Sequence, residues 1–139
     1  MNVILVGTDD ALLEGLAQTF AASDMRPHVV PTLMDAAELA VDKAPIVVVV
    51  ERSMAMQAAG EAMAIRLAPG GSLVLYRGEG SGETDAVATP AMLQRSVLAE
   101  LTLPLERKRL VALAAHVRSR AITTGRSDAV YHPPLEVRP

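Results

Sequence analysis

Acidic and hydroxyl side chains stand directly after two apolar runs of this sequence, where buried strands would end. Thr8, Asp9 and Asp10 follow the run at residues 3–6, and Glu51 follows the run at residues 46–50. Carboxylates that meet at one edge of a sheet can bind Mg²⁺ loosely. Asp9 and Glu51 are therefore candidate ligands that would hold Mg²⁺ weakly at best.

The elements that would position these side chains alternate between strands and helices. The five consecutive β-branched residues at 46–50 predict a central strand. Alternation of this kind requires crossover connections and places helices on both faces of a parallel sheet. The predicted strands cover residues 3–6, 28–30, 46–50, 72–76 and 100–103, and the predicted helices cover 10–22, 33–42, 54–67, 90–97 and the segment that begins at 105–106.

Ligands of such α/β sheets bind outside the C-terminal ends of the strands. We therefore take the residues that follow the strands as the candidate site. They are Thr8, Asp9 and Asp10 after the first strand, Glu51 and Arg52 after the third, Tyr76 and Arg77 after the fourth, and Leu103 with Pro104 after the fifth.

Composition excludes several classes of protein. The 139 residues fit one domain, predicted at 1–121, followed by a tail at 122–139 that contains Gly125 and three prolines. The absence of cysteine excludes disulfides, thiolate metal sites and a thiol nucleophile, and three aromatic residues are too few for a base-stacking module. Neither a signal peptide nor an apolar run of about 20 residues is expected, so the predicted location is the cytoplasm.

Three segments carry a resemblance to a known family. Residues 4–10 resemble the first strand and acidic pair of two-component response-regulator receiver domains (CheY-like), residues 45–51 resemble the approach to their phosphorylated Asp, and residues 101–106 resemble the segment around their Lys-Pro. The resemblance covers residues 2–120. It implies a flavodoxin-like, three-layer α/β/α sandwich with a five-stranded parallel sheet of order 2-1-3-4-5.

The positions that carry the family's reaction differ in this chain. Glu51 stands where the phosphorylated Asp is expected, and Thr8 replaces one acid of the pair, although a shift by one residue would restore Asp9-Asp10. Tyr76 replaces a small hydroxyl residue, and Leu103 replaces the Lys before Pro104. The resemblance therefore implies a degenerate pseudo-receiver. Glu51 is either a mimic of the phosphorylated Asp or a polar strand end, and Arg52 or Arg77 is the available substitute for the missing cation.

The predicted function is that of a signalling module that acts through protein–protein interaction and is not an enzyme. No cofactor is expected beyond weakly bound Mg²⁺. The implied partners are a histidine kinase or an output protein, and a homodimer would use the face of the fourth helix, fifth strand and fifth helix. That face would include Met92, Arg95, Val97, Lys108, Val111 and Ala115, with Arg107 and Arg109 adding positive charge.

Three alternatives stay open at this point. The chain could be a phosphoacceptor that uses Asp9 or Asp10, or a flavodoxin-like protein that binds a small molecule through the loops after the first and fourth strands. The glycine-rich stretch at 77–84 matches no phosphate-binding motif and is read as a connector. DNA binding has support only from the excess of basic residues after Pro104, and no membrane contact is expected.

Overall fold

The computed structural model describes residues 1–78 and 89–131, and from residue 122 onward it describes the backbone alone. Five strands form one parallel sheet in the order β2-β1-β3-β4-β5. Their bounds are β1 Asn2–Val6, β2 Arg26–Val30, β3 Val47–Glu51, β4 Ser72–Gly78 and β5 Val97–Leu103. The predicted α/β sandwich and its strand order are confirmed.

Helices cover both faces of this sheet. The first and last helices lie on one face, and the four between them lie on the other. Their bounds are α1 Asp10–Ala22, α2 Leu33–Lys43, α3 Arg52–Gln57, α4 Ala59–Met63, α5 Ala91–Ser96 and α6 Arg107–Tyr131. This arrangement makes three layers, in which the sheet is buried between two layers of helices.

The strand residues alternate between two hydrophobic cores, as the period of two requires. Val49, Val74 and Tyr76 contact the core under α1 and α6. Val50 and Leu75 contact the core under the other four helices. Because the central residues of β1, β3 and β4 are buried on both faces, they form uninterrupted apolar runs, which is typical of parallel sheets.

The predicted helix at residues 54–67 is wrong in its bounds and in its continuity. The structure has α3 and α4 instead, separated at Ala58, whose backbone leaves the helical region at φ −141° and ψ 57°. Ala55 on α3 and Ala62 on α4 are both buried in the same core. Packing on both sides of the break therefore determines the path of this segment. The alanine-rich composition alone does not reveal the break.

Further differences from the prediction concern β2, β5 and the last helix. β2 begins at Arg26 and includes Pro27, which the edge of a sheet tolerates because no neighbouring strand needs its missing N–H. β5 begins at Val97, three positions before the predicted start at 100, after a register shift against β4. The backbone of α6 continues through Gly125 to Tyr131, so the last helix extends into the segment predicted as a tail, and residues 132–139 lie outside the described residues. A single glycine lowers helix stability by only about 1 kcal/mol.

Candidate functional site

The first candidate segment is the turn between β1 and α1. Asp9 is the N-cap of α1, and its Oδ1 accepts a hydrogen bond from the backbone N–H of Leu12 at 3.1 Å. Asp10 is the first residue of α1 and is exposed, as is Thr8. The Asp9 carboxylate therefore caps the N-terminus of α1, where it satisfies one of the free backbone N–H groups of the first turn.

Glu51 lies at the end of β3, and two hydroxyl groups donate to its carboxylate. Ser53 Oγ donates to Oε1 at 2.8 Å, and Thr8 Oγ1 donates to Oε2 at 3.4 Å. The structure thus brings together two of the predicted site residues, Thr8 and Glu51. A hydroxyl group occupies the place where the family pattern has a second acid, and it stabilises the Glu51 carboxylate by hydrogen bonding.

Tyr76 lies beside Glu51 in the register of β3 and β4, but its ring is turned into the core under α1 and α6. The residue is 1% exposed. A Cβ atom added at Gly7 would collide with the Tyr76 hydroxyl oxygen and lie 3.2 Å from Cζ, so the ring end occupies the space that Gly7 leaves open. Tyr76 therefore fills the region between the end of β1 and α1.

The Tyr76 hydroxyl is buried and has no hydrogen-bond partner among the described residues. Burial raises the pKa of this phenol above its usual value of 10.0, and the negative charges of Glu51 and Asp9 raise it further. The neutral phenol is the form that the fold accepts, because a phenolate here would be desolvated beside two carboxylates.

We expect the Tyr76 phenol to stay neutral in the folded protein as pH rises above 10. The pKa of Tyr76 is higher in the folded state than in the unfolded state. The stability that comes from keeping this phenol neutral is therefore complete below about pH 10 and is lost as pH rises further. The ultraviolet absorbance of a Tyr131→Phe variant, titrated with base, isolates Tyr76. The expected result is ionisation that coincides with the loss of circular dichroism, whereas reversible ionisation near pH 10 in folded protein would contradict it.

The loop after β5 positions Leu103 and Pro104. Leu103 is fully buried in the core that contains Tyr76, and Pro104 is exposed after a cis peptide bond. Glu106 closes the loop, because its Oε1 accepts from the Thr102 N–H at 2.8 Å and its own N–H donates to the Thr102 carbonyl at 2.8 Å. The Thr102 N–H and then Arg109 lower the pKa of the Glu106 carboxyl. The position of the family's Lys is thus an apolar core position.

Receiver chemistry uses Mg²⁺, and the described residues do not fit a receiver-type site for it. No group of three or more His, Cys, Asp or Glu side chains in the described part of the chain is arranged to hold a metal. The Glu51 carboxylate accepts from two hydroxyls, and Asp9 caps α1. Weak binding of Mg²⁺ by Asp9 and Glu51 stays a prediction.

Arg52 turns away from the candidate site toward the edge of the sheet. Its Nε donates to Glu100 Oε1 on β5 at 3.1 Å and lies 3.3 Å from Thr89 Oγ1. The residue is only 8% exposed. Arg52 is therefore paired with Glu100 rather than placed as a free substitute for the missing Lys.

Gly7, Ser53, Thr89 and Glu100 belong to this region, although the sequence did not single them out. Gly7 had a usable signal, since a glycine directly after a buried strand indicates close approach of another group. The others had no such signal. Ser53 is only two positions from its partner Glu51, but the sequence does not show where its hydroxyl points, and Thr89 and Glu100 meet Arg52 only through the tertiary structure. Glu100 and Arg52, for example, are separated by β4.

The predicted docking face is formed by α5, β5 and α6. Met92 is 63% exposed, Arg95, Lys108 and Ala115 are exposed, and Val97 and Val111 are half-buried. The face thus offers apolar and basic groups together. Within the described residues, none of the helices has the length and apolarity that crossing a membrane requires.

Structural comparison places these features in a known fold. The chain superimposes on a receiver domain protein from Clostridium thermocellum with a TM-score of 0.68 and 10% identity, covering 88% of this chain and 98% of that one. It superimposes on the signal receiver domain of a putative LuxO repressor protein from Vibrio parahaemolyticus with a TM-score of 0.68 and 16% identity, covering 89% and 94%.

Brucella abortus NtrX, solved in complex with ADP, matches with a TM-score of 0.71 and 15% identity over 98% of this chain. The chain spans 31% of the length of that NtrX chain. No family model and no curated protein sequence matches this chain. The structural neighbours confirm the predicted resemblance in fold: the chain has the CheY-like fold of response-regulator receiver domains.

Proposed function

We propose that this chain is a receiver-type signalling module that acts through protein–protein contact, without phosphorylation of the standard kind. The observation that carries the proposal is the ring of Tyr76, which is buried against Gly7 in the same core as the buried Leu103. Phosphoryl transfer needs a mobile hydroxyl and a cation near the acceptor. A buried phenol without a partner among the described residues and an apolar leucine supply neither.

The state of Glu51 supports the same proposal. Its carboxylate is held by Thr8 and Ser53, whereas an acceptor would need freely accessible oxygens next to a bound metal. The negative charge at the end of β3 is then a permanent feature of the protein. The module is not an enzyme in this proposal, and it acts in the cytoplasm.

The proposed partner is a histidine kinase or an output protein that meets the face of α5, β5 and α6. Met92 provides an exposed apolar contact, and Arg95 and Lys108 add positive charge to the same face. Protein interfaces combine apolar and polar groups in this way. Homodimerisation through this face is part of the proposal, and light scattering over a range of concentrations tests it.

We expect no phosphoryl group on the protein after incubation with acetyl phosphate and Mg²⁺, as measured by intact mass. Beryllofluoride with Mg²⁺ is expected to leave the amide NMR signals of Asp9, Glu51 and Tyr76 unchanged. The matched control is a variant with Thr8→Asp, Glu51→Asp, Tyr76→Thr and Leu103→Lys, which introduces the family's residue types at all four positions. If that variant folds, it should respond to at least one of the two reagents.

A mass increase of one phosphoryl group in the unmodified protein would overturn the proposal. Peptide mapping would then decide between Glu51 and the alternative acceptors Asp9 and Asp10. Asp10 is the more accessible of these two, because Asp9 caps α1.

A small-molecule site is the second candidate, and one observation favours it. A groove of about 390 Å³ lies beside the strand ends, with apolar walls formed in part by Leu12, Leu16 and Pro104 and with Asp9 and Arg107 among its charged lining residues. Its size lies within the range of ligand pockets. Native mass spectrometry of the purified protein tests this candidate, because a bound ligand of constant mass would favour it.

A further inference from the structure

We infer that Arg52, Thr89 and Glu100 form a latch that holds the start of α5 against β5 and so fixes the shape of the proposed docking face. The inference rests on the proposed function only in taking that face as the one a partner meets. The latch joins three segments: the first turn of α3, the residue that precedes the N-cap Pro90 of α5, and the edge strand β5.

In the latch, the Glu100 carboxylate is one acceptor that Arg52 and Thr89 share. The Glu100 carboxylate accepts from Arg52 Nε at 3.1 Å, and both of its oxygens lie within hydrogen-bond distance of Thr89 Oγ1, at 3.0 and 3.1 Å. The Arg52 and Glu100 side chains are 9% and 35% exposed. An arginine that is this buried needs an anionic partner, because an unpaired charge with so little contact to water is strongly unfavourable.

Arg52 spans the sheet to make this contact. It follows Glu51 at the end of β3, whereas Glu100 lies on β5, with β4 between the two strands. Neighbouring strands lie about 4.8 Å apart, so the contact crosses about 10 Å of sheet. A long side chain is required for this reach, and the planar guanidinium presents Nε to Glu100 in a fixed orientation.

α5 depends on such contacts because it is short. It has six residues, from Ala91 to Ser96, and no side chain caps its N-terminus. Helices of this length have little stability of their own and are held by packing. Leu93 anchors α5 in the core, and the latch fixes the chain just before it. Two fixed points therefore determine how Met92 and Arg95 are presented.

The consequence is a docking face whose shape is set by a permanent ion pair. Arg52 connects the strand end that carries Glu51 directly to α5 and β5. In this arrangement α5 does not need Tyr76 or Leu103 as moving parts, because both residues are buried in the core under α1 and α6, whereas Leu93 of α5 lies in the core on the opposite face of the sheet. Arg52 is thus a positioning residue for the face.

Amide hydrogen exchange of residues 91–103 tests the latch in the full chain. We expect Glu100→Gln to accelerate exchange there by at least about tenfold, because it removes the carboxylate charge that Glu100 presents to the buried Arg52. Arg52→Met removes the buried charge itself and keeps most of its volume, so a smaller acceleration is expected. In the double variant, the acceleration of exchange should be smaller than the product of the accelerations in the two single variants. The reason is that neither charge of the Arg52–Glu100 pair then remains.

The matched control is Arg109→Gln, which removes the ion pair between Arg109 in the first turn of α6 and Glu106 just before that helix. The two side chains are 62% and 30% exposed. That variant should leave exchange at residues 91–103 unchanged, because exposed pairs contribute little. Peptides from β1 and β2 report on global stability. An equal acceleration in those peptides, or no acceleration at residues 91–103 in Glu100→Gln, would overturn the latch, as would effects that multiply independently.

The latch and the proposed function fail in different experiments. A phosphoryl mass increase overturns phosphorylation-independent action and leaves the exchange result intact. Unchanged exchange in Glu100→Gln overturns the latch and leaves the mass result intact.

Discussion

The Tyr76→Thr variant is expected to lose about 3–5 kcal/mol of unfolding free energy, the range measured when a buried aromatic side chain is truncated. Tyr76 is among the largest fully buried side chains of the described core, and its ring contacts the core under α1 and α6. Threonine would leave a cavity beside Gly7, which has no side chain to fill it. Urea denaturation followed by circular dichroism measures the change, with an unchanged m-value expected if both proteins unfold in two states.

Tyr76→Phe is the matched control, and it should have the opposite sign. The ring and its packing are kept, and the hydroxyl without a partner among the described residues is removed. Removal of an unsatisfied buried polar group is worth about 1–3 kcal/mol. A Tyr76→Phe variant that is less stable than the unmodified protein would mean that the hydroxyl has a bonding role, for example to a buried water. The description of Tyr76 as a space-filling group would then be wrong.

Gly7→Ala is expected to destabilise the protein by about 1–3 kcal/mol, the usual cost of overpacking a core. The new Cβ would collide with the Tyr76 hydroxyl and would lie 3.4 Å from Leu13 Cδ1. The ring cannot move away freely, because Tyr76 is buried on a central strand. The measurement is again the free energy of unfolding in urea.

Two variants make the Gly7 prediction specific. Gly15→Ala serves as the control, since an added Cβ on Gly15 meets nothing within 4 Å and alanine in a helix is favoured by roughly 0.5–1 kcal/mol. Gly7→Ala should also cost clearly less in a Tyr76→Leu background, where the colliding hydroxyl is absent. If the losses of unfolding free energy in the two single variants simply added in the double variant, Gly7 and Tyr76 would not be in contact. Substitutions at contacting residues give non-additive changes, whereas those at separate residues add.

These two predictions bear on function because Gly7 and Tyr76 lie where a receiver's reactive groups would be. If Tyr76 is a structural part of the core, the hydroxyl position of β4 is unavailable for phosphoryl chemistry. Restoring threonine there would then weaken the fold before it could help a reaction. This is why the four-residue variant proposed above needs a folding measurement alongside its mass measurement.

Much of the fold could be predicted from the sequence. The β-branched run of one isoleucine and four valines at residues 46–50 disfavours a helix and is too apolar for an exposed strand, so it indicated a buried strand at the centre of a parallel sheet. The break at Ala58 could not be predicted in this way. Alanine and methionine favour helix on either side of it, and the break depends on how Ala55 and Ala62 reach the core.

The candidate site shows the same division. Thr8, Asp9, Glu51 and Tyr76 could be placed at one edge of the sheet, because the ends of parallel strands meet there. The hydrogen bonds and packing contacts of these side chains could not be predicted, since they depend on the direction in which each side chain points. Tyr76 turns toward Gly7 and away from the solvent edge, and Arg52 reaches across β4 to Glu100.

The sequence by itself determined the order of strands and helices, the parallel sheet and the identity of the residues at its C-terminal edge. It did so because period, β-branching and helix caps are local properties of the chain. Only the tertiary structure decided that Tyr76 fills the space left by Gly7, that hydroxyls hold Glu51 and that Arg52 pairs with Glu100. Thr8 and Glu51 are 43 positions apart, and Arg52 and Glu100 are 48 positions apart, so these contacts arise only when the sheet has formed. Ser53 is two positions from Glu51, but its hydroxyl direction is likewise set by the fold.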